Sequence, residues 1–226
     1  MRVCIFGDSI GKGVVYDPAL QRYVPLQNSF INRLAEEKGF TVENYCRFGG
    51  TVTHGVGMIE KAADRIGEAD LVLLEFGGND SDYDWKKIAA APEEEHIPRT
   101  PIAGFVETYR RAVGLIRGLG KTPFLFNLPP VDAGKYFSWI SRGLSESNIL
   151  KWLSGDRNYI YRWHEMYSAA ICDLCVSEGL PMIDVRSPFL VRRDYSDFLC
   201  EDGIHPNVAG HEMMAGCVSG ALKALL

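Results

Sequence analysis

The sequence predicts an α/β protein: a three-layer α/β/α sandwich around a five-stranded parallel sheet of flavodoxin-like topology. Three observations predict it. Short β-rich apolar runs alternate along the chain with segments of helical periodicity, the pattern of a parallel sheet covered by helices. The run Leu71–Phe76 (LVLLEF) is almost continuously apolar, as expected of a strand covered on both faces. Right-handed crossovers between such strands place the helices in two outer layers.

The elements follow in order. Arg2–Phe6 is the first strand. Ile10–Val15, after it, reads as the start of a helix. The segment 28–38 carries Phe30, Ile31, Leu34 and Ala35 at helical spacing and stops at Gly39. Thr41–Cys46 alternates as a short strand, and Val56–Arg65 reads as helix. After Leu71–Phe76 come a helix over Ala103–Leu119, a strand over Pro123–Leu128 and a long helix over Arg157–Glu178 that Gly179 ends. Pro181–Val185 is the last strand and Val208–Leu225 the closing helix, with Asn207 placed to cap it.

At 226 residues the chain reads as a single domain, 1–226, with insertions near 80–102 and 129–156. A chain of this size buries roughly 70–75% of the surface its unfolded form exposes. A hydrophobic fraction of 46% and a charged fraction of 23% exclude a disordered chain, a collagen-like fibre and a coiled coil. Both insertions follow strands, so both are expected on the ligand-binding edge. The first is polar and contains prolines; the second is rich in aromatic residues, including Tyr136, Phe137, Trp139 and Trp152. They are read as walls of a substrate pocket.

The net charge of −5 lacks the basic footprint of a nucleic-acid binder and argues against a basic membrane-surface protein. No apolar run approaches the ~18 residues that span a membrane, and no secretory signal pattern opens the chain, so a cytoplasmic location is expected. Six scattered cysteines fit that compartment. Cys172 and Cys175 form a Cys-x-x-Cys inside a helical segment without a second pair, which favours a buried structural role over redox or zinc chemistry.

Four loops carry candidate chemistry. Gly7-Asp8-Ser9 follows the first strand. A serine there is either a helix N-cap or a nucleophile awaiting a base. Gly49-Gly50-Thr51 follows the second strand and reads as a plain loop or as a source of an unobstructed backbone N–H. The third strand ends in Gly77-Gly78-Asn79-Asp80, where Asn79 is an Asx-turn residue or an amide donor to an oxyanion. Near the C-terminus Asp202-Gly203-Ile204-His205-Pro206 sets a carboxylate three residues before an imidazole. That spacing suits an oriented general base; with a single carboxylate and a single histidine, metal is the poorer reading. In a parallel sheet all four loops converge.

Taken together, GDS at 7–9, GGT at 49–51, GGND at 77–80 and DGIHP at 202–206 resemble, in order and spacing, the SGNH hydrolase superfamily, also called the GDSL esterase/lipase family. The resemblance spans almost the whole chain. It implies Ser9 as nucleophile, His205 as general base and acid, and Asp202 as the group that orients it. It implies an oxyanion hole made of the backbone N–H groups of Ser9 and Gly50 and the Asn79 side chain. Of the adjacent Gly49 and Gly50, the polar continuation Thr51-Val52-Thr53 selects Gly50. The implied reaction is two-step acyl transfer from a small-molecule carboxylic ester, and it needs no cofactor and no metal.

Two motif readings fall away. Gly7-x-Ser9-x-Gly11 matches the nucleophile elbow of α/β-hydrolases, but that fold needs several strands before its serine. Gly7–Gly13 departs from the phosphate-binding pattern in spacing and lacks its hydroxyl. The preferred substrates are small or carbohydrate-linked acyl esters. The alternatives are a lipase or lysophospholipase acting on longer chains, and a non-catalytic binding protein on the same fold. His54, soon after Gly50, is near enough to line the pocket, but for it, as for His96, His164 and His211, a solvated or hydrogen-bonded structural role is the default reading.

Overall fold

The computed structural model describes residues 1–225. Five parallel strands form the central sheet: β1 (Arg2–Gly7), β4 (Thr41–Asn44), β5 (Leu71–Glu75), β6 (Pro123–Phe126) and β7 (Met182–Ile183). Their order is β4-β1-β5-β6-β7, the expected flavodoxin-like arrangement.

Period-two alternation in β1 and β5 builds two cores. Cys4 and Phe6 of β1, with Val72 and Leu74 of β5, face one side. There they meet α2 (Val52–Lys61), α3 (Ala63–Glu68), α5 (Ile102–Gly118) and α8 (Asn158–Glu178), through Val56, Ile66, Phe105 and Tyr167. Val3, Ile5, Leu71 and Leu73 face the other side, against α1 (Phe30–Lys38), α9 (Ser187–Leu190) and α10 (Val208–Leu225), through Phe30, Phe189 and Met214. Strands buried on both faces explain why the sequence there is apolar without a break.

The remaining elements sit at the C-terminal edge of the sheet. The 80–102 segment contains α4 (Trp85–Ala90), and 129–156 contains α6 (Ala133–Ile140) and α7 (Glu146–Trp152). They share an apolar cluster of their own with the start of α8, built on Tyr83, Ile88, Phe137, Ile149 and Ile160. The insertions are therefore small helices with a common core, where the sequence had read only polar or aromatic loops.

Two expectations change. The segment Ile10–Val15 is not helical: it turns at Gly11 to Gly13 and enters a two-stranded antiparallel hairpin, β2 (Val14–Asp17) and β3 (Arg22–Pro25). Two glycines weaken a helix, and Val14, Val15 and Tyr16 favour a strand. The helix expected over Val56–Arg65 begins at Val52 and is interrupted at Ala62, giving α2 and α3. All six cysteines are unpaired, Cys172 and Cys175 lying within α8.

His211, in α10, is fully buried and stacks on Phe30 at 5.9 Å. Burial, and next the nearby His205, push its imidazole from 6.5 down to about 4. The folded protein thus refuses a proton that the unfolded chain accepts, so stability is full above pH 6.5 and falls as the pH drops toward 4. At about 1.4 kcal/mol per pKa unit the loss is on the order of 3 kcal/mol. We expect His211→Gln to lose less stability than the parent between neutral and mildly acid pH. Urea unfolding of both proteins at each pH checks it, because groups common to both cancel in the difference.

Candidate active site

The site forms where β1 and β5 end. Their register sets Gly7 opposite Glu75, so the turns that follow both strands emerge side by side. In the first turn the Asp8 carbonyl accepts from Lys12 N–H at 3.0 Å and the Ser9 carbonyl from Val14 N–H at 2.9 Å. Asp8 Oδ1 accepts from Ile10 N–H at 2.8 Å, an Asx-type turn. Ser9 itself caps no helix, since none follows it.

Glu75, the last residue of β5, is fully buried. Its Oε2 accepts from Asp8 N–H at 3.2 Å and from Gly11 N–H at 2.9 Å, which ties the serine turn to the neighbouring strand. Burial, and then the charge of Asp8, push the Glu75 carboxyl well above its usual range; burial pushes Asp8 up as well. Burial and the neighbouring carboxyl thus both favour the neutral form of Glu75.

In the second turn, Asn79 Nδ2 donates to Asp8 Oδ2 at 3.0 Å. One N–H of the amide is thereby committed and fixes the side chain's orientation, leaving the other to point elsewhere. Asp80 accepts from Val52 N–H at 3.1 Å and from the Thr100 hydroxyl at 2.7 Å, joining this turn to the start of α2 and to the loop before α5. Burial raises the Asp80 carboxyl to about 6.

The third contribution comes from the GGT loop. Gly50 N–H donates to the Arg47 carbonyl at 2.9 Å within a tight turn. Gly49 stands at φ +69°, in the left-handed region that favours glycine, and borders the cavity beside Ser9. Neither the Ser9 nor the Gly49 N–H has an intramolecular acceptor among the described residues.

The C-terminal loop closes the site from the other side. His205 Nε2 lies 2.8 Å from Ser9 Oγ, and His205 Nδ1 lies 2.6 Å from Asp202 Oδ2. Asp202 Oδ1 accepts from the Ile204 and His205 N–H groups, both at 3.0 Å. Burial works against the Asp202 charge, but the hydrogen bond and charge of His205, with those two N–H groups, hold the carboxyl below its usual range. Gly203, at φ +72°, lets the loop pass the start of α6: a Cβ there would fall 2.8 Å from the Asp132 carbonyl. Asn207 Oδ1 accepts from Gly210 N–H at 3.1 Å and caps α10.

Ser9, Asn79, Asp202 and His205 thus come together, with Gly50 one residue behind the cavity edge. Three neighbours were missed by sequence reasoning. The Tyr23 hydroxyl, from the hairpin, donates to Asp202 Oδ2 at 2.9 Å, and its ring packs 5.0 Å from that of His205. Phe48 stacks parallel to His205 at 6.2 Å while remaining 50% exposed. Glu75 had a legible signal, a carboxylate inside an apolar strand; Tyr23 and Phe48 had none. His54 does not line the cavity: it bonds Thr51 at 3.1 Å at the start of α2.

A cavity of about 210 Å³ opens beside Ser9. Aromatic rings dominate its walls: Tyr83, Trp85, Tyr136, Trp152, Tyr159 and Trp163. Both insertions therefore contribute walls. Asp82 joins them, its Oδ1 accepting from the Tyr136 hydroxyl at 2.6 Å and Trp85 Nε1 at 2.8 Å. Among the described residues no cluster of three or more His, Cys, Asp or Glu could hold a metal ion. No described helix is long and apolar enough to cross a membrane.

Removing the Glu75 acceptor strands two buried N–H groups, at about 1–3 kcal/mol each. We expect Glu75→Leu to lower stability by roughly 2–5 kcal/mol and Glu75→Gln, which keeps an acceptor, by less than about 1.5 kcal/mol. Equal losses in chemical denaturation would show that the hydrogen bonds to Asp8 and Gly11 do not hold the turn.

Comparison with known proteins gives the chain's family and fold relatives. Residues 5–213 match the model of the GDSL-like lipase/acylhydrolase family. The chain is 28% identical over 166 residues to the GDSL esterase/lipase CPRD49 of Arabidopsis thaliana, covering 71% of this chain and 57% of that protein. It is 26% identical over 161 residues to the GDSL esterase/lipase WDL1 of Oryza sativa subsp. japonica, covering 69% and 54% respectively. It therefore spans little more than half the length of these two relatives. Among solved structures, the lipase/acylhydrolase from Enterococcus faecalis superposes with a TM-score of 0.69 at 20% identity, covering 100% of this chain and 96% of that one.

Proposed function

Since the chain belongs to the GDSL-like lipase/acylhydrolase family, we propose that it is a serine esterase that cleaves small acyl esters through an acyl-enzyme intermediate. The observation that carries this reading is the unbroken relay from Ser9 Oγ through His205 to Asp202, with separations of 2.8 and 2.6 Å.

His205 Nε2 takes the Ser9 proton as Oγ attacks the ester carbonyl. Asp202 accepts from Nδ1–H, fixes the tautomer and stabilises the imidazolium that forms. Negative charge gathers on the carbonyl oxygen. The Ser9 N–H, the second Asn79 amide N–H and the Gly49 N–H are the donors available to it. Gly49 takes the place expected of Gly50, whose own N–H is engaged by Arg47 at 2.9 Å. The alcohol departs with a proton from His205. Water then gives a proton to His205 and its oxygen to the acyl carbon, releasing the acid and restoring Ser9.

The cavity supports small acyl groups. Its volume of about 210 Å³ lies below the roughly 300–1,000 Å³ of sites for drug-sized ligands. A long fatty acyl chain is poorly served by it. The half-exposed Phe48 ring, which lines the cavity beside His205, offers an apolar face to the alcohol side of the ester, a carbohydrate included.

Ser9→Ala and His205→Ala are each expected to fold normally and to lower hydrolysis of 4-nitrophenyl acetate by about 10⁴-fold or more. Near-parental turnover by either would sink the mechanism. Asn79→Ala should lower kcat about 10²–10³-fold with a smaller change in KM. Tyr23→Phe removes the hydroxyl donor to Asp202, and kcat should fall by about three- to tenfold. An unchanged kcat in steady-state assays would reduce Tyr23 to packing. In a chain-length series of 4-nitrophenyl esters, acetate and butyrate should be cleaved best; a maximum at palmitate would favour the long-chain reading.

A further inference from the structure

The cavity's own polar groups narrow the substrate further. Most of those lining it are already satisfied. Asp82 is bonded to Tyr136, Trp85 and Arg99, the Ser81 hydroxyl donates to the Gly78 carbonyl at 2.9 Å, and Asp8 holds Asn79. Besides Glu75, whose Oε1 is buried without a partner under the serine turn, three further lining side chains outside the Ser9–His205 relay stand apart. The imidazole of His164 and the hydroxyls of Tyr83 and Tyr159 have no hydrogen-bond partner among the described residues. His164 is only 9% exposed and Tyr83 only 6%. Burial, and next the Arg186 guanidinium, push His164 down to about 3, so near neutral pH its ring offers one N–H donor and one acceptor.

Of the polar atoms on these three side chains only His164 Nδ1 is buried without a partner, which is costly unless something satisfies it; the hydroxyls of Tyr83 and the half-buried Tyr159 add donors along the same wall. The surrounding walls are ring faces and edges: Tyr83 meets Trp152 edge-on at 4.9 Å and lies 5.7 Å from Trp163. Such walls favour a flat ring over a flexible chain. A plain alkyl group would leave His164 and the two hydroxyls without partners. A sugar ring carries more hydroxyls than these few free groups can meet.

The chemistry also assigns the side of the ester. The leaving alcohol must reach His205 Nε2, so it lies toward Tyr23 and the exposed Phe48. The cavity also runs past Tyr23, Phe48 and His205, so the acyl group takes the part of it walled by Tyr83, Tyr159 and His164. Resting on the serine esterase reading above, we propose that the cavity is the acyl site and selects aromatic acyl groups that bear a hydroxyl, with Tyr83, Tyr159 and His164 as the specificity-determining residues. The reaction is hydrolysis: the bond from Ser9 Oγ to the aryl-acyl carbon forms as the alcohol leaves with a proton, then water cleaves it to the hydroxyaryl acid.

The test compares ethyl cinnamate with ethyl 4-hydroxycinnamate, and ethyl benzoate with ethyl 4-hydroxybenzoate. The readout is the ratio of kcat/KM within each pair. The parent protein should favour the hydroxylated ester by about tenfold or more, because a site built to bond a hydroxyl rejects the analogue that lacks it. That ratio should fall toward one in His164→Leu; Tyr83→Phe, which changes only one hydroxyl, repeats the test should the first variant not fold. Calorimetry of the same esters on Ser9→Ala reads the preference without turnover. A parental ratio near one, a ratio kept in the variants, or faster cleavage of ethyl butyrate than of either aryl ester overturns the proposal. The esterase reading fails separately, through turnover of 4-nitrophenyl acetate that does not depend on Ser9.

Discussion

A carboxyl group buried at the end of a strand holds this site together. Glu75 accepts from two backbone N–H groups of the turn that carries Ser9, and Asp8 in that turn accepts from Asn79. The serine turn and the asparagine turn are thus two ends of one buried network. Neither needs its own scaffold. The network is costly in isolation, since two carboxyls must leave water, and the backbone N–H groups and the Asn79 amide that bond them offset part of that cost. The result is a rigid corner at the sheet edge, against which the mobile parts of a reaction can work.

The rest of the site is assembled on this corner from opposite directions. The Asp202–His205 loop arrives from the C-terminal end, pinned to the start of α6 where Asp132 N–H donates to the Gly203 carbonyl at 2.8 Å. The hairpin arrives from the N-terminal side and lays Tyr23 over Asp202. The insertions supply an apolar cluster whose inner surface is the cavity wall. Catalytic and selective parts are therefore separable: the corner and the loop set the chemistry proposed here, and the insertions set what fits beside it.

The layered fold was legible because its physics is local. Strands covered on both faces must be apolar throughout, and Leu71–Phe76 shows it; helices end where Gly39 and Gly179 permit a left-handed turn. Loop positions after a strand or before a helix marked Ser9, Asn79, Asp202 and His205 as candidates, but their proposed roles came from the resemblance that the four motifs carry together. What was not legible depends on distant pairing. Tyr23 reads as an ordinary strand residue, and only the hairpin's fold-back sets its hydroxyl against Asp202, 179 residues away. The Ile10–Val15 segment misled because propensity over six residues is weak and the hairpin's partner strand lies beyond it. Gly49 and Gly50 differ only in which N–H a turn consumes, a matter of backbone geometry that composition does not record.

The bond between Ser9 and His205 joins positions 196 residues apart. During synthesis the serine leaves the ribosome well before the imidazole that faces it, which follows 196 residues later. Until then Ser9 is an ordinary alcohol, without a base to take its proton. The contact is non-local, and its closure costs chain entropy that contacts between near neighbours do not. The order of the chain thus works as a built-in delay: a nascent or truncated polypeptide carries the serine without its base, and the relay is complete only when the domain is.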